Sequence, residues 1–295
     1  RSCPDGHMIF PSSSIRVLVS NDGVSNWQQV CSFSVPGRDV RDPHFLDFGD
    51  RLFVYSGTWL CDPDDATRYD MNDHLGYGVA TADGVHWDDP RPLEGTYGHY
   101  IWRAAAHGNR AYLCGRRRRG FVPGQAESLP ELIQSALLTS DDGWVWRYAG
   151  LFADGHGDET AFLFEKDGSL LALVRGADAV PARLSRLQPP YTGFEHLDLD
   201  RNVGGPLLAR WEDRLLVAGR KSLPPDRPVT SLYWLHDDGL HEICELPSGG
   251  DTSYPGFVDL GHGGGLLSYY SSHEGSGGGT APCHIYLAQL QMTGT

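Results

Sequence analysis

The stretch Gly249–Gly275 reads GGDTSYPGFVDLGHGGGLLSYYSSHEG. A Gly-Gly-Asp-Thr-Ser turn leads into Tyr254 and an apolar strand. Glycines at 261 and 263–265 then mark a hairpin, because glycine takes the positive φ of tight strand connections at little steric cost. A second strand, Leu266–Tyr270, runs out into Ser271, Ser272, His273 and Glu274. The unit is thus a strand pair with a tyrosine at its start and a polar cluster at its exit.

The same framework occurs four more times upstream. The copies are DVRDPHFLDFGDRLFVYSG from Asp39, YIWRAAAHGNRAYLCGR from Tyr100, DETAFLFEKDGSLLALVRG from Asp158 and NVGGPLLARWEDRLLVAGR from Asn202. Each has a polar start, an apolar strand, a turn carrying Gly, Asn or Asp, and a second apolar strand. The copies start about 45 to 60 residues apart, the period of four-stranded propeller blades. The expectation is an all-β chain: one β-propeller domain over residues 1–295, with five blades and six as the alternative. The N-terminal strands, Ile15–Val19 and Gln28–Phe33, have no strand pair of this kind and are expected to complete the last blade. Ser128–Ser135 is the stretch that reads as a helical turn or two.

Composition agrees. There are 37 Gly and 19 Pro in 295 residues, as many short strands and turns require. The net charge of −14 argues against a nucleic-acid partner, whose phosphates would be repelled. It leaves open a small anionic substrate met by local positive charge. Arg116–Arg119 is one such local patch, whose plain reading is a solvated loop. The 8 Trp and 13 Tyr suit sheet cores and also sugar-binding clefts, so the expected partner is a carbohydrate. The six cysteines form no CxxC pair, and reduced thiols are expected. No metal or cofactor motif is present, and no apolar run reaches the roughly 18 residues of a membrane span. The chain reads as soluble, with secreted, periplasmic and cytoplasmic locations all open. Oligomeric state is equally open.

A second piece recurs between the strand pairs: SNDGVSNW from Ser20, TADGVHW from Thr81 and SDDGWVW from Ser140, with a weaker HDDG from His236. The three good copies read Ser/Thr-x-Asp-Gly with a Trp three or four residues after the Gly, close to the pattern Ser/Thr-x-Asp-x-Gly-x-x-Trp. It resembles the Asp-box, or BNR repeat, of the sialidase-like β-propellers. In such a turn Asp caps, Gly takes a positive φ and Trp packs into the blade. Asp22, Asp83 and Asp142 are therefore read as structural.

In a propeller, the starts of the innermost strands and the exits of the next ones surround the pocket. The starts carry Arg41 and Asp42, Trp102 and Arg103, Asp158 and Glu159, Asn202, Asp251 and Tyr254; the exits add Arg175, Arg220, His273 and Glu274. Arginines from several blades need anions, from the protein or from a substrate. The resemblance sharpens at three places. DETAFLFEKDGSLLALVRG is similar to the sialidase segment with a glutamate at one strand's start and an arginine at the next strand's end, here Glu159 and Arg175. GDTSYPGF resembles the segment of the tyrosine nucleophile, here Tyr254. Arg-Asp-Pro at 41–43 resembles the Arg-Ile-Pro of the first blade.

The resemblance implies a glycosidase acting on an acidic sugar such as sialic acid. Tyr254 would attack, Glu159 would take its proton, and Arg41, Arg175 and a third arginine would clamp the substrate carboxylate, Arg220 being preferred to Arg227 because it reads as the end of a strand. A neutral hydroxyl suits an anionic sugar, which repels a carboxylate nucleophile. The general acid stays open among Asp42, Asp62, Asp64, Asp65, Asp70 and Asp73. Trp102, Arg103, His273 and Glu274 complete the expected substrate-binding set.

Three other readings stand beside this one. Five-bladed furanosidases would use Asp42 and Glu159 as base and acid. A polysaccharide lyase would pair Tyr254 with His273 beside an Arg-neutralised uronate. A carbohydrate-binding propeller would need no catalysis. The plain alternatives are a structural Arg41–Asp42 pair, a Glu159–Arg175 pair across the blade, and Trp102–Arg103 stacked in the core.

Overall fold

The computed structural model describes residues 1–4, 8–65, 68, 70–120, 129–176, 180–223, 227–275 and 281–292. Among these the regular structure is β-strand, with 3₁₀ turns at Met71–Asp73 and Pro130–Leu132. No helix among them is long and apolar enough to cross a membrane.

Five blades of antiparallel strands follow one another, as in a β-propeller. The first is β3 (Arg38–Phe48), β4 (Arg51–Leu60), β5 (Leu75–Thr81) and β6 (Arg91–Pro92). The second is β7 (His99–His107), β8 (Arg110–Arg118), β9 (Ile133–Ser140) and β10 (Arg147–Ala153). The third is β11 (Thr160–Phe164), β12 (Leu170–Val174), β13 (Arg183–Leu187) and β14 (Glu195–Asp198). The fourth is β15 (Gly204–Trp211), β16 (Arg214–Leu223), β17 (Arg227–His236) and β18 (Gly239–Glu245). The fifth has three described strands, β19 (Thr252–Gly261), β20 (Gly264–Ser271) and β21 (His284–Gln291).

The chain forms two compact units: Arg1–Pro4, Met8–Gly157 and Gln188–Phe194 in one, Asp158–Leu187 and Glu195–Thr295 in the other. In the first unit, Phe53, Tyr55, Ile101, Leu113 and Trp146 are buried in one core cluster. In the second, Leu171, Leu173, Val217 and Tyr233 form one cluster, and Leu216, Leu232, Leu267 and Tyr269 form another.

The innermost hairpins turn where sequence chemistry says they should. Phe48 faces Arg51 across Gly49-Asp50, His107 faces Arg110 across Gly108-Asn109, and Trp211 faces Arg214 across Glu212-Asp213. One expectation fails and another holds for a single turn. β1 (Ile15–Val19) and β2 (Gln28–Phe33) do not pair into the fifth blade among the described strands; they form a ribbon with each other. Their buried Ile15, Val17 and Phe33 pack with Val40, Val54 and Val79 of the first blade. Of the helical stretch at Ser128–Ser135, Ser128 lies outside the described residues, Pro130–Leu132 form one 3₁₀ turn, and Ile133 already begins β9. From Ile133 the chain pairs with β8 as a blade strand, Ile133 facing Arg118.

The three Ser/Thr-x-Asp-Gly turns share one hydrogen-bond scheme and join the paired strands β1–β2, β5–β6 and β9–β10. Gly23, Gly84 and Gly143 N–H donate to the hydroxyls of Ser20, Thr81 and Ser140 at 3.1, 2.9 and 2.9 Å. Each Asp Oδ1 accepts from two following backbone N–H groups. The fourth copy differs: Asp237-Asp238 is a two-residue hairpin between His236 and Gly239. The tryptophans also differ. Trp27 is 42% exposed, its indole N–H turned back onto Val24 O, whereas Trp146 is buried. The third turn clasps the first blade through Glu94 N–H to Trp144 O and Trp146 N–H to Glu94 O, at 3.0 and 2.8 Å. That clasp explains the burial of Trp146.

Gly95 permits the clasp: its φ is +83°, and a Cβ there would lie 2.0 Å from Trp146 O. Gly95→Ala is expected to destabilise the protein by about 3 kcal/mol or more, from strain plus a backbone clash. Gly108→Ala, also at positive φ but with open space around it, should cost only about 1 kcal/mol in the same denaturation experiment.

Candidate active site

Four innermost strands break register at the same place. Asp42-Pro43 on β3, Trp102-Arg103 on β7, Gly205-Pro206 on β15 and Tyr254-Pro255 on β19 each set two residues against one on the neighbouring strand. These are β-bulges, which re-aim a side chain out of the ladder. Proline fits the second position of three of them because it has no N–H to leave unpaired. Asp42, Gly205 and Tyr254 have φ of +47°, +55° and +52°. For aspartate and tyrosine this left-handed backbone costs roughly 1–3 kcal/mol, a strain that clusters at functional sites. The dipeptides Asp-Pro, Gly-Pro and Tyr-Pro at matching places in the repeats are the signal that sequence reading missed.

Just before β11 the matching place is Glu159. Arg175 N–H donates to Glu159 O at 2.9 Å, extending the Thr160–Val174 ladder by one pair. The sequence spacing thus puts Glu159 and Arg175 side by side, and Arg175 Nη1 lies 3.0 Å from Glu159 Oε2. Tyr254 Oη donates to Glu159 Oε1. Gly205 N–H donates to Oε2 at 2.7 Å. Three blades of the second unit therefore converge on one carboxylate, which is 5% exposed.

Burial alone would raise Glu159. The Arg175 charge, the Tyr254 hydrogen bond, the Arg220 charge and the Gly205 N–H together outweigh it and hold the carboxyl below its ordinary value. Arg175 is correspondingly raised, chiefly by Glu159.

The two arginines here stay partly open to solvent. Arg175 and Arg220 side chains are each 24% exposed. Arg175 Nε is buried with no hydrogen-bond partner among the described residues, and its second carboxylate, Asp158, stands 3.8 Å away. Arg220 Nη1 is 3.7 Å from Asp251 Oδ1 and 3.5 Å from Thr252 O. Charge-assisted bonds usually run about 2.7–2.9 Å, so these contacts leave room for a further anion. Asp251 is itself held by Tyr270 Oη at 2.7 Å, and the Tyr270 ring lies 5.8 Å from that of Tyr254. Arg220 does not end its strand, because the β16–β17 hairpin pairs on as far as Leu223 and Arg227. Arg227 is exposed at the start of β17.

In the first unit, Arg41 is committed within the protein. Its side chain is 4% exposed, with Nε 2.5 Å from Asp39 Oδ2, Nη2 2.7 Å from Met8 O, and the guanidinium 4.0 Å from the Trp59 ring centre. Asp42, half-buried, accepts from Tyr100 Oη at 2.5 Å. His44 Nδ1 donates to Asp42 O at 2.9 Å. Burial, with the Arg103 charge adding to it, lowers the His44 imidazole to about 3, so it is neutral. Trp102 is buried against Tyr100, its ring 5.3 Å from the Arg116 guanidinium.

The remaining candidates sit as follows. Asn202 donates to Gly176 O and Val180 O at 2.9 and 2.7 Å. His273 Nδ1 bonds Ser271 Oγ at 2.8 Å and its ring lies 4.8 Å from that of Tyr286, while Glu274 is exposed. Asp62 is tied to Arg68 at 2.8 Å, and Asp73 accepts from Tyr97 Oη at 3.1 Å.

No protein-family model matches this chain, and no curated protein does. Solved structures do. A protein of unknown function from Dyadobacter fermentans is 20% identical, with a TM-score of 0.75 over 97% of this chain and 85% of its own. A sialidase, Hz136, of Hadza microbial origin is 12% identical, with a TM-score of 0.63 over 94% of this chain; the match spans 59% of the sialidase. A GH43 β-xylosidase/α-arabinofuranosidase from a compost microbial metagenome, complexed with xylotriose, is 12% identical, with a TM-score of 0.54 over 86% of this chain and 92% of its own. At such identities the likeness bears on the fold, which this chain shares with propeller glycosidases.

Proposed function

We propose that this protein is a glycoside hydrolase that removes a terminal acidic sugar, with Tyr254 as nucleophile and Glu159 as its base. The observation that carries the reading is the hydrogen bond from Tyr254 Oη to Glu159 Oε1. A tyrosine hydroxyl is a weak nucleophile until a neighbouring base takes its proton. A carboxylate held below its ordinary value is ionised at neutral pH and ready to do so. Arg175 and Arg220 flank the pair, partly open to solvent, and a sugar carboxylate is the anion they fit. The sialidase among the structural neighbours is consistent with this. Arg41, engaged with Asp39 and Trp59, acts in this reading as a support and not as a clamp.

A second reading has its own support. The GH43 neighbours include an enzyme named for xylosidase and arabinofuranosidase action, and Asp42 stands on a left-handed bulge with its carboxylate oriented by Tyr100. Asp42 would then be the base and Glu159 the acid. The electrostatics weigh against that assignment, since a general acid needs a carboxyl raised toward the working pH.

The test is hydrolysis of aryl glycosides of sialic acid, Kdo, glucuronic acid and arabinofuranose by wild type, Tyr254→Phe and Asp42→Asn. Release from a carboxylate-bearing sugar that disappears in Tyr254→Phe is the expected result. Release from the neutral furanoside that survives in Tyr254→Phe and disappears in Asp42→Asn would move the chemistry to Asp42.

A further inference from the structure

We propose that Ser253 is a positioning residue: its buried hydroxyl joins the bulge that carries Tyr254 to the bulge that holds Glu159, and so sets both hydrogen bonds on that carboxylate. The inference rests on the tyrosine-nucleophile reading above.

Gly204 and Arg220 face each other across β15 and β16. Ser253, fully buried on β19, stands at that pair: its Oγ donates to Gly204 O at 2.5 Å and accepts from Arg220 N–H at 3.2 Å. A buried strand cannot leave a backbone donor and acceptor open, and this pair stands at the edge of the bulge, where the register shifts between Gly204 and Leu207. The hydroxyl fills that need from the neighbouring blade. The next residue on each strand then acts on Glu159: Gly205 N–H on Oε2 and Tyr254 Oη on Oε1.

The fit leaves no slack. A Cβ on Gly205 would lie 2.6 Å from Ser253 Oγ and 3.0 Å from both Tyr254 N and Tyr254 Cδ2, so the two bulges meet closely at this hydroxyl and at Tyr254. The first blade shows the contrasting case. There Ser56 Oγ accepts from Arg41 N–H and donates to Arg41 O at 2.9 and 2.7 Å. Ser56 belongs to the adjacent strand of the same blade, so its hydroxyl heals the bulge without linking it to another. Taking the hydroxyl from the next blade's nucleophile strand is what couples the two halves of the site.

The charged and titratable groups facing Glu159 are Arg175, Arg220 and Tyr254, with Asp158 beside Arg175 and Asp251 beside Arg220. Loosening the Gly205 N–H bond removes one of the interactions that keep Glu159 low, so its carboxyl rises.

The test compares Ser253→Ala with wild type, with Tyr254→Phe and with Ser169→Ala. Ser169 is a buried hydroxyl bonded to Asp167 at 2.6 Å in the β11–β12 turn, and calibrates a loss that is only structural. The first readout needs no substrate. A buried tyrosine–carboxylate bond shields its proton from exchange, and the proton resonance absent in Tyr254→Phe belongs to Tyr254. It should shift or broaden in Ser253→Ala and stay in place in Ser169→Ala. The second readout uses the sugar found in the glycoside panel. kcat should fall about 10- to 100-fold, the cost of a small misplacement, with KM within about threefold. The acid limb of the kcat/KM profile should move to higher pH. Ser253→Cys, similar in size with a weaker donor, should behave the same way if the alanine variant does not fold. Resonance, kcat and acid limb all matching wild type, with stability lost as in Ser169→Ala, would overturn the proposal and leave the nucleophile reading intact. Full activity in Tyr254→Phe would instead overturn the reading on which it rests, and the resonance would still report whether Ser253 sets the bond.

Discussion

Tyr254→Phe loses about 10³-fold or more in kcat/KM while staying folded, as expected when a nucleophile is removed and the rest of its machinery remains. The substitution deletes one oxygen. The ring keeps its place 5.8 Å from that of Tyr270, and Pro255 still closes the bulge. What vanishes is the bond to Glu159 Oε1, which leaves the carboxylate to Arg175 and the Gly205 N–H. Thermal unfolding should therefore change little, and any change measures the hydroxyl's own contribution, about 1 kcal/mol for a typical bond and more to a charged acceptor. A burst of aglycone in wild type that is absent in the variant would tie the loss to a covalent step. Turnover within about threefold of wild type would exclude the tyrosine.

Glu159→Gln is expected to cut kcat by about 10²- to 10⁴-fold, the usual range for loss of a positioned base. It also has a stability signature with a definite sign. Glu159 is held below its ordinary value of 4.5 in the folded protein. Its ionised form therefore contributes stability above that ordinary value, and the contribution disappears as pH falls through the lower folded value. Wild type should lose stability on acidification through this window, and the glutamine variant should lack that part of the slope. At neutral pH the variant leaves Arg175 with only the more distant Asp158. Breaking a buried pair costs about 3–5 kcal/mol, and the partial exposure of Arg175 brings the expectation to about 2 kcal/mol. Urea melts of both proteins at neutral and acid pH check both parts. Parallel stability–pH curves would mean that Glu159 has no depressed carboxyl in the folded state.

Much of the fold was legible from local chemistry. A hairpin turn is decided by two or three adjacent residues, so Gly49-Asp50, Gly108-Asn109 and Glu212-Asp213 mark the blades before any long-range contact forms. The pairing of Glu159 with Arg175 is nearly as local. Once the turn between β11 and β12 is placed, antiparallel register carries the two residues to the same end of the hairpin. The Ser/Thr-x-Asp-Gly turns close on their own side chains, which is why three copies fold alike.

Other features needed the neighbours. Arg41 read as a clamp residue because nothing near it in sequence showed Met8 O and the Trp59 ring waiting for its guanidinium. Counting strands places the ribbon β1–β2 in the last blade, whereas its side chains pack with the first. Ser253 and Gly205 drew no notice, since a serine and a glycine beside a strand are ordinary until the distances between strands are known. Tyr254 and Glu159 stand 95 residues apart, and their bond exists because the β11–β12 hairpin meets the bulged β15–β16 and β19–β20 hairpins. Period, turns and in-register pairs thus follow from short stretches of chain, where backbone geometry and side-chain chemistry act over a few residues. The carboxylate shared by Tyr254, Gly205 and Arg175 follows only from tertiary packing, because hydrogen bonds reach about 3 Å and only the assembled blades set distances that fine.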